Sequence, residues 1–178
     1  FYLFSLTTLS KFETVKKNFF EQQPKLLTSE LLLKYLVNEC HEISIESIKI
    51  SCKRTEMILS EICREPYDFV ITFQEINRTE YTLTETKQLL VNFLCGDRNK
   101  TNVPLLINSD LHCPLRQLTL EIVKETERLI EIDSLETILD LVSKGQALAL
   151  LPTYLEKEGF LPIDNNLFAI NYYCYKHI

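Results

Sequence analysis

The chain has 178 residues, 46% hydrophobic and 25% charged, which is ordinary for a globular protein and too apolar for a disordered one. Its net charge of −6 and pI near 5.2 would repel a sheath of phosphates, so this chain alone is a poor nucleic-acid binder. No apolar run approaches the roughly 18 residues of a membrane span, and no signal peptide stands out. A cytoplasmic protein with no membrane partner is expected.

Taken in order, Phe1–Leu6 is a strand candidate by its aromatic and aliphatic content. Ser10 and Glu13 form a capping box for a helix that carries Phe12, Val15 and Phe19 on one face and ends at Pro24. A second helical run spans Ser29–Cys40, with Leu32, Leu33, Leu36 and Val37 apolar. Ile43–Cys52 alternates with a phase slip between Ile45 and Ile48, which suggests a bulge or two short strands. Thr55–Glu65 reads as a helix with Ile58, Leu59, Ile62 and Cys63 on one face. Pro66 breaks it, and Tyr67–Phe73 is a buried strand.

Gln74–Thr86 reads as a polar linker, Leu89–Cys95 as an apolar strand and Gly96–Asn102 as a charged turn. Leu105–Asn108 is a short strand, and Pro114 opens a helix faced by Leu115, Leu118, Ile122 and Val123. Then comes RLIEIDSLETILDLVSKGQALALLP, Arg128 to Pro152. Arg128–Ile132 is a strand. Asp133 is read as the N-cap of the next helix with Glu136 closing a capping box, and Leu135, Ile138, Leu139 and Val142 give that helix one apolar face. Gly145 stands where a left-handed C′ residue is wanted, and Ala147–Leu151 is a second strand, all apolar, as in a sheet covered on both faces. A short helix, a turn at Gly159 and an alternating strand, Phe168–Tyr175, complete the chain.

The stretch SLETILDLVSKGQALALLP resembles the signature of the effector-binding domain of LysR-type transcriptional regulators, through Ser134, Leu135, Leu141, Val142, Gly145, Ala149, Leu150, Leu151 and Pro152. Ala147 departs from it, where the family usually has a second glycine. SIESIKISCKRTEMILSEICREPYDFVITF resembles the family's strand, helix and strand, with Asp68 in its aspartate position and Val70 replacing an alanine. VPLLINSDLHCPLRQLTLEIV resembles the strand and loop of the second lobe, with Arg116 as the arginine at the helix start. The family order runs from Ile43 to Pro152, and Leu161–Tyr175 fits its returning strand. The opening departs from it, with extra residues between the first strand and Ser44. SLTTLS, Ser5–Ser10, is preferred as the first ligand loop because a strand precedes it and a capped helix follows; LLTSE, Leu26–Glu30, is the alternative.

The resemblance implies an α/β, type 2 periplasmic-binding-protein-like fold of two α/β lobes joined by two crossover strands. Lobe I would be residues 1–72 plus 153–178, and lobe II residues 73–152. It implies a small effector, anionic or polar, in the cleft between lobes. The candidate contacts are Thr7, Thr8, Ser10 and Thr72 on one side and Ser109 and Arg116 on the other, where a hydroxyl and a planar donor fork suit a carboxylate. Ser10 could equally cap its helix, Thr72 be a plain strand residue, and Arg116 form a surface ion pair. It also implies a homo-oligomer, dimer or tetramer, pairing the helix Lys11–Gln22 or the broadly apolar Ser29–Cys40 with Ser134–Lys144 of a second copy. DNA would be reached only through a winged helix-turn-helix, which this sequence does not show.

A solute-binding protein of an uptake system, with the same fold, is the alternative. No enzyme is expected, because no acid–base pair, nucleophile with its base, or phosphate-cradling glycine loop is present; glycine numbers three. No cofactor or metal is expected either. His112 beside Cys113 lacks a third ligand, and the six cysteines (Cys40, Cys52, Cys63, Cys95, Cys113, Cys174) are scattered without a CxxC pair. They read as free thiols.

Overall fold

The computed structural model describes residues 23–40, 46–99, 102–124 and 128–178. In chain order the first unit is β1 (Lys25–Thr28), α1 (Glu30–Tyr35, continued by a π turn over Leu36–Cys40), β2 (Lys49–Cys52), α2 (Thr55–Glu61) and β3 (Phe69–Thr72). A long strand, β4 (Tyr81–Cys95), leads to a second unit: β5 (Leu105–Asn108), α3 (Pro114–Ile122), β6 (Leu129–Ile132), α4 (Leu135–Ser143) and β7 (Leu148–Pro152). A 3-10 helix (Thr153–Glu158), the two-residue strand β8 (Leu161–Pro162) and the long strand β9 (Phe168–His177) follow.

The two units have one topology. β1 lies between β2 and β3, parallel to both, and β5 lies between β6 and β7, parallel to both. β9 runs antiparallel beside β3, β4 runs antiparallel beside β7, and β4 and β9 pair with each other. The strand order is therefore β2-β1-β3-β9-β4-β7-β5-β6, with β8 joined to the end of β4. Parallel strands must be covered on both faces, so β1 and β7 carry near-continuous apolar runs, and Leu26, Leu27, Ala149, Leu150 and Leu151 are buried.

The expected Ser29–Cys40 helix is present, but Lys25–Thr28 before it is a strand that the sequence reading passed over. The breadth of the apolar face of α1 has a cause in packing. Leu31, Leu32 and Leu36 are buried with Leu89, Val91 and Phe93 of β4, Leu105 and Leu150 of the second unit, and Ile170 and Tyr172 of β9. Tyr35 adds ring contacts to Tyr154 and Tyr172. The supposed linker also differs: Tyr81–Thr86 is the first part of β4, with Thr82, Thr84 and Thr86 exposed. Phe1–Leu6 and the helix Lys11–Gln22 lie outside the described residues. Of Ile43–Cys52, residues 49–52 form a strand.

The signature helix α4 starts one residue later than its capping box predicts. Ser134, not Asp133, is the cap, and its hydroxyl accepts the Thr137 N–H at 3.2 Å. Asp133 is drawn away by an ion pair with Arg54 at 2.8 Å. The other end is as expected. Gly145 has φ 64°, its N–H meets Val142 O, and the Gln146 N–H meets Leu141 O, which together form a Schellman closure. Gly96, just after β4, abuts the same helix end: a Cβ there would lie 2.3 Å from Ser143 O and 2.5 Å from Val142 O. Both obstacles are backbone and cannot swing aside. Gly96→Ala is expected to cost about 1–3 kcal/mol, read as a lower urea midpoint at unchanged slope.

Beneath the first unit, Tyr67 is 1% exposed, and its hydroxyl donates to Glu65 Oε1 at 2.6 Å. Burial and then that hydrogen bond push its phenol up to about 12, so the folded state holds the proton more tightly than the unfolded chain does. That contribution is complete below pH ~10, the unfolded value, and is lost as pH rises toward 12. Unfolding monitored across this window should show stability falling, and tyrosinate absorbance should show Tyr67 among the last to ionise. In Tyr67→Phe, that share of the alkaline loss should vanish.

Candidate functional site

Loops from both units meet at the carboxyl ends of β1 and β5, the central strand of each. They enclose a cavity of about 300 Å³. From the first unit come Ser29, Glu30 and Leu31 after β1, Cys52 at the end of β2 with Lys53, Arg54 and Thr55 following, and Phe73 after β3. The second unit contributes Asn108 and Asp110 after β5, Cys113–Arg116 at the start of α3, Asp133 and Leu135 at the start of α4, and Ala149–Leu151 of β7. Open α/β sheets bind ligands outside the carboxyl ends of their strands, where neighbouring connections part to opposite sides.

The wall is apolar in depth and polar at the rim. Leu31, Leu106, Leu115, Ile138 and Leu150 are buried residues that line it, and Phe73 is half-buried. Ser29 occupies the N-cap position of α1 without capping it. It is 4% exposed, and its hydroxyl has no hydrogen-bond partner among the described residues. A buried hydroxyl in that state carries a desolvation cost of about 1–3 kcal/mol until something meets it. Behind it, the fully buried Thr28 hydroxyl is also unpartnered among the described residues.

The charged groups are committed to one another. Arg54 crosses the cleft to Asp133 at 2.8 Å, while its Nε meets Glu56 at 3.3 Å and its Nη2 donates to Ser109 Oγ at 3.5 Å. Arg116 donates to the Asn108 carbonyl at 3.0 Å and to Glu131 at 2.8 Å. Lys53 pairs with Glu61 at 3.4 Å. Asp110, 4% exposed, accepts the His112 N–H at 2.8 Å and, from across the cleft, the Glu56 N–H at 3.4 Å. Its own N–H donates to Asn108 Oδ1 at 2.8 Å, so 108–112 is a loop knitted by its own side chains. Burial raises the thiols of Cys113 and Cys52 above their ordinary value, with Glu30 adding to the effect at Cys52. Of the two, Cys113 is the better covered, and Cys52 is exposed. Cys52, Cys63, Cys95, Cys113 and Cys174 are free thiols, and no group of three metal-ligating side chains occurs among the described residues.

Of the residues read from sequence, Thr7, Thr8 and Ser10 lie outside the described residues. The alternative stretch, Leu26–Glu30, is the end of β1 and its turn into α1, and it brings Ser29 into the wall. Thr72 is fully buried, and its hydroxyl accepts the Gln74 N–H at 3.2 Å; its neighbour Phe73 is the lining residue. Ser109 stands at the rim and donates to Asp133 at 3.1 Å. Arg116 is in the wall. Arg54 and Asp110 were not foreseen. The sequence carried a hint of Asp110, an Asx-type turn residue four positions before Pro114, and nothing that pairs Arg54 with Asp133, 79 positions further on.

The two cross-cleft acids should behave differently. Asp110→Ala removes a carboxylate that is 4% exposed and accepts the His112 N–H at 2.8 Å, and is expected to cost about 1–3 kcal/mol. Asp133→Ala removes an ion pair whose members are 42% and 72% exposed and should cost less than about 1 kcal/mol. Urea unfolding of the two variants side by side checks the contrast.

No protein-family model and no curated protein matches the sequence. Solved structures match by shape. The bromide-bound regulatory domain of HypT from Salmonella typhimurium superposes with a TM-score of 0.69 at 14% identity, over 90% of this chain and 88% of that one. A regulatory-domain mutant of OxyR2 from Vibrio vulnificus gives 0.68 at 11% identity, over 88% and 87%. Full-length LysG from Corynebacterium glutamicum with bound effector Arg gives 0.64 at 14% identity, over 97% of this chain and 68% of that one. No helix among the described residues is long and apolar enough to cross a membrane. The doubled β-α-β-α-β unit, the paired crossover strands and these superpositions agree: the chain has the periplasmic-binding-protein-like fold of the effector domains of LysR-type transcriptional regulators, whose signature its sequence resembles.

Proposed function

We propose that this chain is the sensing domain of a LysR-type transcriptional regulator, binding a small effector, anionic or polar, in the cavity between its two lobes. One observation carries the reading: strand-to-helix loops of both units wall one cavity at the carboxyl ends of their central strands. Ser29 from lobe I and the Asn108–Arg116 region of lobe II, with Ser109 at the rim and Arg116 in the wall, would be its contacts. Tyr154, Leu155 and Phe160 pack with Leu94, Leu106 and Ile138 of the second unit. We therefore place the return to lobe I along β9 rather than at Thr153. DNA would be contacted by a winged helix-turn-helix outside these 178 residues, in a homo-oligomer, and the chemistry would be binding rather than catalysis.

A panel of small metabolites, read by thermal unfolding, is the test. A specific binder present at about a hundred times its Kd should add roughly 2.7 kcal/mol of stability. Ala149→Phe, which fills the wall at a residue 2% exposed, should abolish that gain while the far-ultraviolet dichroism stays native. Stabilisation that survives a filled cavity would place the ligand elsewhere and end this reading.

A further inference from the structure

We infer that the hydroxyl of Tyr67 is a two-position hydrogen-bond switch between Glu61 and Glu65, joining Lys53 in the cavity wall to Lys25 at the start of β1. The switch is read from geometry alone. Its link to a ligand rests on the sensing role proposed above.

Five side chains form an unbroken line through the first unit. Lys53 lines the cavity, and its Nζ lies 3.4 Å from Glu61 Oε1. That same oxygen is 3.4 Å from the Tyr67 hydroxyl. The hydroxyl donates to Glu65 Oε1 at 2.6 Å, and Glu65 Oε2 meets Lys25 Nζ at 3.1 Å. Lys25 opens β1, where residues 1–24 join the lobe, and its backbone N–H donates to Asp68 Oδ2 at 2.7 Å.

The middle of this line is built to switch. The Tyr67 ring is 1% exposed and packs with Leu27, Ile58, Ile62 and Val70. Its backbone N–H donates to the Tyr81 hydroxyl at 3.2 Å. The ring therefore stays fixed, and only the hydroxyl hydrogen has to turn about its C–O bond. A phenol has one hydrogen to donate, and two carboxylates stand within reach of it. The Ser51 hydroxyl donates to the phenol oxygen, so it does not compete for that hydrogen.

The bases decide which carboxylate receives it. The Glu61 side chain is 11% exposed against 45% for Glu65, so water satisfies Glu61 less. Glu61 relies instead on Lys53 and on Arg64 at 3.8 Å, which leaves the hydroxyl to Glu65. A ligand that draws Lys53 into the cavity takes a base from Glu61 Oε1, and the hydroxyl stands beside that oxygen to replace it. A carboxylate shift of under about 1 Å closes the gap to a normal hydrogen bond. Glu65 is then left on Lys25 without the phenol, and the first residue of β1 loses its tether to the buried ring. One bond rotation thus passes the state of the cavity wall to the point where the chain enters the lobe.

The test follows the Glu65 carboxyl by carbon-13 NMR of the glutamate-labelled full chain through an acid titration. In the unaltered protein the Tyr67 hydrogen bond, and then Lys25, hold that carboxyl below the usual range. Lys53→Met is expected to move its midpoint up toward the ordinary value as the hydroxyl turns to Glu61. With Tyr67→Phe in place the hydrogen bond is already gone, and adding Lys53→Met should move the midpoint no further. Glu61→Gln gives a second check: with no charge there to satisfy, Lys53→Met should leave Glu65 low. An unmoved Glu65 in Lys53→Met, or an equal rise with and without the Tyr67 hydroxyl, would overturn the switch. Neither result touches ligand binding, so the sensing role is judged by its own experiment.

Discussion

Everything in this fold depends on the pairing of β4 with β9. Ten registered pairs, from Tyr81 with His177 to Val91 with Phe168, run antiparallel through the middle of the sheet. β3 hydrogen-bonds to the outer edge of β9, and β7 to the outer edge of β4. Without this ribbon, the two parallel sets would be separate three-stranded sheets, each with a bare edge and too little core to stand alone. With it, one sheet carries both, and the open ends of β1 and β5 are brought to a common cleft. The α1 helix reinforces the join from the outside, since its leucines share a core with β4, β9 and the second unit.

The same arrangement explains why the cleft is rich in ion pairs yet poor in available charge. Loops at strand carboxyl ends carry polar residues because helix starts need caps and turns need Asx geometry. Two such sets of loops face each other here; Lys53 and Arg116 find their acids within their own units, and a few contacts cross between the sets. Arg54 with Asp133, and the Glu56 N–H with Asp110, cross in this way. Hydroxyls have less to gain from long-range pairing, and Ser29 is left over. What remains exposed to an incoming molecule is thus mostly hydrocarbon.

Much of this was legible in sequence where local and global signals agree. The signature from Ser134 to Pro152 combines a cap, an apolar stripe, a left-handed glycine and an apolar strand, each demanded by local physics, and all but the exact cap residue stand as read. The β1 strand was not legible, because Leu26 and Leu27 are only two apolar residues between Pro24 and the helix read from Ser29, too short a run to mark a strand. Tyr81–Thr86 was hidden for the opposite reason. In a crossover ribbon much of the surface faces solvent, so Thr82, Thr84 and Glu85 sit in a strand that looks like a linker. The cap slipped from Asp133 to Ser134 because an arginine from the other unit claims the aspartate, a contact no local window contains. Site residues fared likewise: Arg116 marks a helix start and could be read, whereas Arg54 and Asp110 acquire their places only when two distant loops meet.

The energetics of the cleft bear on how a sensor of this design could signal. The Arg54–Asp133 pair spans it between side chains largely open to water, where such a pair contributes less than about 1 kcal/mol. The Glu56–Asp110 contact, at 3.4 Å, is long for a hydrogen bond and adds little more. These polar contacts are small beside the buried core that Leu31, Leu32 and Leu36 share with Leu105, Leu115 and Leu150 of the second unit. A ligand can shift a two-state equilibrium only by its difference in affinity for the two states. At about 25 cal/mol per Å², burying some 100 Å² of apolar wall on a ligand would outweigh the ion pair that spans the cleft, so the polar rim would follow the ligand rather than govern it.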